Sequence, residues 1–161
     1  MRQTSARLAD EIEAVVQAYG NMLFRICLVM LGNESDAEDA VQDTFLKLLQ
    51  KAPAFASAEH QKAWLIKVAT NRCRDVRRFR SRRPQINLTD LQMLVSDPES
   101  CGIIEALMAL PERFRIVLTL YYVEEYSMEK IASVIGKTTS AVKMRLQKGR
   151  RLLEEEYRKE E

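Results

Sequence analysis

Apolar residues recur at helical spacing along most of this chain, and few residues interrupt them. The clearest case is DAEDAVQDTFLKLL, Asp36 to Leu49. Its apolar positions follow the i, i+3, i+4, i+7 rule and comprise Ala37, Ala40, Val41, Thr44, Phe45, Leu48 and Leu49. With only 5 glycines and 4 prolines, the sequence requires few tight turns. The pattern therefore predicts an all-α fold.

The N-terminal helices can be placed from their flanking residues. The first is predicted to run from Ile12 to Leu31. The second is predicted to begin at Ser35, because Glu38 three residues later would complete a capping box. A third begins near Gln61 and runs into an arginine-rich stretch. Together these helices make up a first domain, predicted at residues 10–83.

A segment without helical period divides the chain. Residues 84–101 begin with Pro84 and contain Asp97-Pro98, both unfavourable for a continuing helix, and we interpret them as a linker. A second helical domain is predicted at residues 102–161. The fold class is thus two small all-α domains joined by a linker.

The second domain carries a helix-turn-helix pattern. Ser127 can cap a short helix, Gly136 can end it, and Thr138 can cap a following helix that is rich in Lys and Arg. The first residues of such a second helix reach base edges and phosphates in the major groove. The candidate DNA-binding residues are Thr138, Thr139, Ser140, Lys143, Met144, Arg145 and Gln147. An ordinary helical hairpin with a basic surface is the alternative.

Positive charge is concentrated at one place, although the chain as a whole is nearly balanced at 25 Lys and Arg against 23 Asp and Glu. The stretch NRCRDVRRFRSRR, Asn71 to Arg83, contains seven arginines and one acid. A solvated helix end would explain it, and so would a polyanionic partner. One outward ridge of the third helix comprises Lys67, Asn71, Arg74 and Arg78.

The predicted second helix has an acidic ridge apart from its apolar stripe. This ridge comprises Asp39, Gln42, Asp43 and Leu46. An exposed leucine among carboxylates favours a surface that binds protein, because carboxylates repel nucleic acid. A plain solvated face is the alternative.

The sequence shows no catalytic or metal-binding pattern. His60 is the single histidine, and Cys27, Cys73 and Cys101 are widely spaced with no CxxC pair. We therefore expect no catalytic residues, no metal and no cofactor, and the cysteine usage fits a reduced, cytoplasmic protein. The longest apolar run, residues 22–31, is too short for a membrane span of about 20 residues and is predicted to be a core helix.

The order of these features resembles that of sigma factors of the sigma-70 family, specifically the small two-domain extracytoplasmic-function (ECF) group. The segment Asp36–Leu49 resembles region 2.2, and AWLIKVATNRCRDVRR (Ala63–Arg78) resembles regions 2.3 and 2.4. The segment Leu110–Leu153 resembles region 4. Two departures are Ser140-Ala141, where the family usually has Gly-Thr, and Lys137, at a position that is commonly apolar.

The resemblance implies an alternative sigma factor that binds core RNA polymerase, through its β′ clamp and β subunits, and promoter DNA. Region 2.2 implies polymerase binding by Asp36, Asp39, Gln42, Asp43 and Leu46. Regions 2.3 and 2.4 imply recognition and melting of the −10 element by Lys67, Asn71, Arg74, Arg77 and Arg78. The loop Ala52–Glu59 would then hold an extruded base. Region 4 implies −35 recognition by the helix-turn-helix residues.

Two further expectations concern a partner and a side chain. In this family the free sigma is commonly held by an anti-sigma factor, which is often membrane-anchored. Trp64 is a candidate for base stacking, but it starts the apolar stripe of its helix, which favours a position in the core.

Two other functions fit part of the sequence. A stand-alone helix-turn-helix regulator would bind duplex DNA without polymerase, usually as a dimer on a palindrome. The acidic ridge with Leu46 and the separate arginine-rich helix argue against it. A nucleic-acid-modifying enzyme would need a metal or general-base cluster, which the sequence lacks.

Overall fold

The computed structural model describes the backbone of residues 2–79 and 101–159 and the side chains of residues 9–76 and 102–159. These residues form seven helices and no strand, which confirms the all-α prediction. The helices are α1 (Arg2–Leu31), α2 (Glu34–Lys51), α3 (Ala58–Phe79), α4 (Cys101–Met108), α5 (Glu112–Tyr122), α6 (Met128–Ile135) and α7 (Thr139–Lys159). The predicted linker, apart from its last residue, lies outside the described residues.

The helices α1, α2 and α3 pack on one another around the first part of the core. Each presents an apolar stripe to the other two, and the fully buried members include Leu23, Ile26, Met30, Ala37, Ala40, Leu65 and Ala69. The C-terminal half of α1 therefore lies in the core, as predicted. The stretch Ala9–Leu31 is long and apolar enough to cross a membrane by length and composition, a test that the core helix of a soluble protein also passes.

Two details of the second helix differ from the predictions. Its N-cap is Asn33, whose side-chain oxygen accepts a hydrogen bond from the Asp36 backbone N–H at 3.0 Å, so the assignment of Ser35 was wrong. Leu49 is 49% exposed, so the buried stripe ends at Leu48.

The third helix begins at Ala58, earlier than predicted, because the Ser57 hydroxyl accepts from the His60 N–H at its start.

The helix-turn-helix has the predicted local geometry. The Ser127 hydroxyl accepts from the Lys130 N–H at 3.2 Å and caps α6. Gly136 ends α6 in the left-handed conformation, with φ 70° and ψ 39°. The Thr138 hydroxyl accepts from the Ala141 N–H at 3.1 Å and caps α7. Helix α7 packs against α4, α5 and α6, which hold it from one side.

The two helical units share one core. Helix α5 packs against α7 and also against α1, while α6 packs against α3. As a result every residue from Phe114 to Leu120 is buried, including the cation Arg115, which is 1% exposed. A helix that is buried on all sides needs neighbours on all sides, and here both units supply them. The spacing of residues within each unit did not predict this contact.

Candidate protein and nucleic-acid interfaces

The predicted acidic ridge lies on the solvent-facing side of α2. Asp39 and Gln42 are exposed, Asp36 and Asp43 are half-buried, and Leu46 is 50% exposed. Leu49 lies one turn beyond Leu46 along α2 and adds a second exposed apolar side chain. The structure thus brings together carboxylates and leucines on one helix, an arrangement that suits a protein partner with basic and apolar groups.

An ion pair links this ridge to α3. The Arg72 Nε donates to Asp43 Oδ2 at 2.7 Å, and both side chains are nearly half exposed. Of the neighbouring residues Arg72 and Cys73 on α3, Cys73 is fully buried and Arg72 faces outward. The ion pair of Arg72 with Asp43 was not predicted, because the spacing of apolar residues does not resolve which of two adjacent residues faces inward.

The same ion pair lies in a groove of about 410 Å³ between α2 and α3. Its walls include Leu46 from the acidic ridge and Asn71 from the predicted −10 ridge. The acidic ridge and the predicted −10 ridge therefore border the same groove. A molecule bound to one ridge would lie next to a molecule bound to the other.

The ridge predicted to contact the −10 element is partly described. Lys67 and Asn71 are exposed on α3, and Arg74 is half-buried. Arg77 and Arg78 continue the same helix in the backbone, but their side chains lie outside the described part of the chain. The described members form one polar and cationic surface, as the helical spacing predicted.

The loop before α3 is organised by an aromatic cluster. The Phe55 ring lies edge-on to His60, with ring centres 5.5 Å apart, and edge-on to Trp64 at 5.6 Å. The Ala56 N–H donates to His60 Nδ1 at 3.1 Å, so that nitrogen acts as an acceptor. Trp64 is half-buried and packs against the core, in agreement with the core position favoured by its spacing. Phe55 is the ring that the loop itself contributes to this cluster, since His60 and Trp64 belong to α3.

The predicted −35 residues lie on the exposed side of α7 and its cap. Thr138, Thr139, Ser140, Lys143, Met144 and Gln147 are exposed, with Met144 at 69%, and Arg145 is half-buried. An exposed methionine among polar and cationic side chains is unusual for a solvated helix face and favours a surface that receives a partner.

A basic groove of about 510 Å³ extends this surface towards α5. Met144, Arg145 and Gln147 line it together with four residues that were not predicted as site residues, namely Arg113, Phe114, Lys148 and Arg151. The Arg113 guanidinium lies 4.6 Å from the centre of the Phe114 ring, and Lys148 Nζ lies 5.8 Å from it. Arg113 was missed because it precedes the helix-turn-helix in sequence and only the packing of α5 on α7 brings it to this face.

A third groove, of about 490 Å³, is apolar. It lies between α4, α5 and α7 and exposes Ile103 (45%), Tyr122 (53%) and Val123 (57%). Among the residues whose side chains are described, no group of three or more His, Cys, Asp or Glu is placed to hold a metal ion.

Comparison with known proteins identifies both units. The family model Sigma-70 region 2 matches residues 15–83, and the model Sigma-70, region 4 matches residues 102–153. The ECF RNA polymerase sigma factor SigL of Mycobacterium tuberculosis is 30% identical, over 91% of this chain and 90% of its own length. The ECF RNA polymerase sigma factor SigW of Bacillus subtilis is 28% identical, over 92% and 90%.

A solved structure shows the same fold. The sigma factor RpoE of Bartonella quintana, determined in complex with the anti-sigma factor NepR, superposes with a TM-score of 0.72 over 92% of this chain and 97% of that one, at 20% identity. Both regions, their order and the full-length relatives agree. The chain is therefore a member of the sigma-70 family of RNA polymerase sigma factors, within its ECF group.

Proposed function

We propose that this protein binds core RNA polymerase and directs it to promoters by recognising a −35 and a −10 element and melting the DNA at −10. The observation that carries the proposal is the division of the surface by charge. An acidic ridge with exposed Leu46 lies on α2, whereas cationic residues line the α7 face, so the two surfaces fit partners of opposite chemistry.

Polymerase would dock on the acidic ridge. Asp36, Asp39, Gln42 and Asp43 supply charge and hydrogen-bond acceptors, and Leu46 supplies an apolar anchor at half exposure. Interfaces commonly have an apolar centre and a charged rim. Leu46 would lie at the centre, and the surrounding carboxylates would steer the association. The polymerase β′ clamp is the partner that the family implies, and the β subunit contributes to the same complex.

The −10 element would bind along α3. Lys67, Asn71 and Arg74, followed by Arg77 and Arg78, would neutralise phosphates and contact the unpaired strand. The loop that carries Phe55 lies at the N-terminal end of the same helix. An extruded base could stack on this aromatic group, because every base presents a π-face whatever its sequence.

The −35 element would bind the exposed side of α7. Thr138, Thr139 and Ser140 lie at the helix N-terminus, where backbone N–H groups and small hydroxyls suit phosphate contacts, and Lys143, Met144, Arg145 and Gln147 follow on the helix. We add Arg113, Lys148 and Arg151 as phosphate-binding residues, because they border the same groove.

The protein is expected to act in the cytoplasm, without catalysing a reaction itself, and to be held by an anti-sigma factor. The support for that partner is that a protein of the same fold, the sigma factor RpoE of Bartonella quintana, was determined in complex with the anti-sigma factor NepR. A stand-alone regulator of duplex DNA remains the second candidate, since the helix-turn-helix alone would serve it.

The test is multi-round transcription from a promoter library by core polymerase, with and without this protein. Transcripts that share −35 and −10 sequences should occur only in its presence. Asp43→Arg should abolish them, whereas Glu155→Arg, the same charge change at an exposed position of α7 outside the three proposed interfaces, should not. The Asp43–Arg72 pair is exposed and stabilises the fold by at most about 1 kcal/mol, so loss of folding would not explain that result.

The same assay, together with a measurement of DNA binding, can also refute the proposal. If no transcript depends on the protein, while the protein alone binds duplex DNA tightly, the polymerase proposal is wrong and the stand-alone regulator is correct.

A further inference from the structure

Met144 on α7 is the most exposed large apolar side chain in the described part of the chain, at 69%. Single exposed apolar residues are common on protein surfaces, so exposure alone indicates no function. This one, however, lies between the cations Lys143 and Arg145 on the face proposed to bind the −35 element. Its position on the helix and the chemistry of its side chain together limit what it can recognise.

Met144 faces directly away from the core. The nearest buried residues of α7 are Val142 and Leu146, each two positions away in sequence. At about 100° per residue, Met144 lies about 160° around the helix axis from both of them, so the helices that pack on α7 are behind it. A helix with its side chains is about 10–12 Å wide and fits a major groove about 12 Å wide. The side that faces away from the protein is therefore the side that meets the base edges.

The neighbouring cations lie where the phosphates of such a groove would be. Lys143 and Arg145 adjoin Met144 in sequence, so they lie about 100° to either side of it around the helix axis. The basic groove of about 510 Å³ that Met144 and Arg145 line continues to Arg113 of α5. Phosphate contacts hold a protein in register on the duplex but do not read its sequence. Sequence is read by the side chains between them, and Met144 is the central one.

The methionine side chain can read few chemical groups. A thioether has no hydrogen-bond donor and is only a weak acceptor, so it cannot pair with the polar groups that the bases present in the major groove. Thymine alone presents an apolar group there, its 5-methyl group. A flexible, polarisable methionine can adjust to contact that methyl group. If it faced a polar base edge instead, it would displace water without replacing the lost hydrogen bond.

We infer that Met144 is a specificity-determining residue, which recognises the 5-methyl group of a thymine at one position of the −35 element. The inference rests on the proposed function, because it names what one residue of the proposed −35 surface reads. Lys143 and Arg145 then supply affinity for the duplex, and Met144 supplies the selection at that position. Burial of one methyl group corresponds to about a fourfold change in affinity.

The test compares thymine with deoxyuridine, which lacks only the 5-methyl group. The protein, bound to core polymerase, is titrated with promoter duplexes obtained from the transcription library. Each thymine of the −35 element is replaced in turn by deoxyuridine. One replacement should weaken binding by the wild type about fourfold.

Two variants at position 144 assign that effect to the methionine. Met144→Ala should bind the thymine and deoxyuridine duplexes equally, whereas Met144→Leu, which keeps an apolar side chain of similar volume, should retain the preference. Comparing variants on the same pair of duplexes removes any effect of the methyl group on the DNA itself. Alanine and leucine both favour helices and position 144 is exposed, so loss of folding would not explain the result.

Lys143→Ala provides the matched control at the adjacent residue. It should weaken binding to the thymine and deoxyuridine duplexes by the same factor and so leave the preference unchanged. It should also reduce the slope of log K against log salt by about 1, whereas Met144→Ala should leave that slope unchanged. The two variants thus separate a phosphate contact from a base contact.

The inference is wrong if the wild type shows no such preference at any thymine, if Met144→Ala keeps it, or if the −35 element contains no A·T pair. The absence of any dependent transcript would instead refute the proposed function. The same comparison would then use duplex DNA that the protein alone selects from a random pool, because a stand-alone regulator would also read DNA with this helix. A failure of the inference and a failure of the proposed function therefore give different results.

Discussion

Replacing Gly136 by alanine should destabilise the protein even though the new methyl group meets nothing. A Cβ built at this position has no heavy atom within 4 Å, so steric repulsion does not contribute. The backbone, however, has φ 70° and ψ 39°, where an L-residue is less stable than glycine by about 1 kcal/mol. We therefore expect Gly136→Ala to lower the free energy of unfolding by about 1 kcal/mol, and the melting temperature by about 2–4 °C.

Gly20 provides the matched control. It lies inside α1, and a Cβ there would make only an ordinary contact, 3.9 Å from Val16 Cγ1. Gly20→Ala should raise the free energy of unfolding by up to about 1 kcal/mol, since alanine favours the helix over the unfolded chain. The same chemical change should thus have opposite signs at the two positions.

Urea unfolding followed by far-ultraviolet circular dichroism measures both effects. The midpoints should shift in opposite directions at an unchanged m-value, and each variant should keep a single transition if the two regions unfold as one unit. If the urea midpoint of Gly136→Ala equals or exceeds that of the wild type, the left-handed backbone at position 136 does not favour glycine and the reasoning is wrong.

Three further predictions concern ionisation, salt and thiol chemistry. Burial, with the Glu59 and Glu124 carboxylates, raises the pKa of Tyr126 to about 12, so one of five tyrosines should ionise late in an absorbance titration. Because the unfolded tyrosine ionises near pH 10, folding stability should fall as the pH rises from about 10 to 12, and Tyr126→Phe should remove that loss. Lys143→Ala should reduce the slope of log K against log salt for promoter binding by about 1, and an unchanged slope would exclude a phosphate contact. A hydrogen bond with Cys27 and burial raise the pKa of Cys73 well above its usual value, so a thiol reagent should modify at most one of the three cysteines in the native protein and all three in urea.

Local signals in the sequence were sufficient for the helix-turn-helix. Ser127, Gly136 and Thr138 each act on backbone groups within four residues, so their roles depend little on the rest of the fold. The predicted N-cap of α2 was wrong because two candidate caps lie close together in sequence. Asn33 and Ser35 are both good caps, and only the path of the chain out of α1 decides which side chain reaches an open N–H.

Contacts between distant helices could not be predicted from spacing. A difference of one residue on α3, about 100° around the helix axis, separates the buried Cys73 from Arg72, which pairs with Asp43 across the α2–α3 groove. Arg113 reaches the α7 face only through the packing of α5. Helix α5 is buried over seven consecutive residues, Phe114 to Leu120, but a sequence pattern does not say which domain supplies its second neighbour.

Arg115 of α5 donates from Nη2 to the backbone carbonyl of Met30, at the end of α1, at 3.0 Å, and this contact has a consequence during synthesis. The two residues are 85 positions apart in sequence. At about 5–20 residues per second, a ribosome needs roughly 4–17 s to make the intervening chain. For that interval the end of α1 is present without its cation, and helix formation and local packing take far less time. The nascent chain therefore passes through a stage in which α1, α2 and α3 can already pack on one another while the end of α1 still lacks the Arg115 contact.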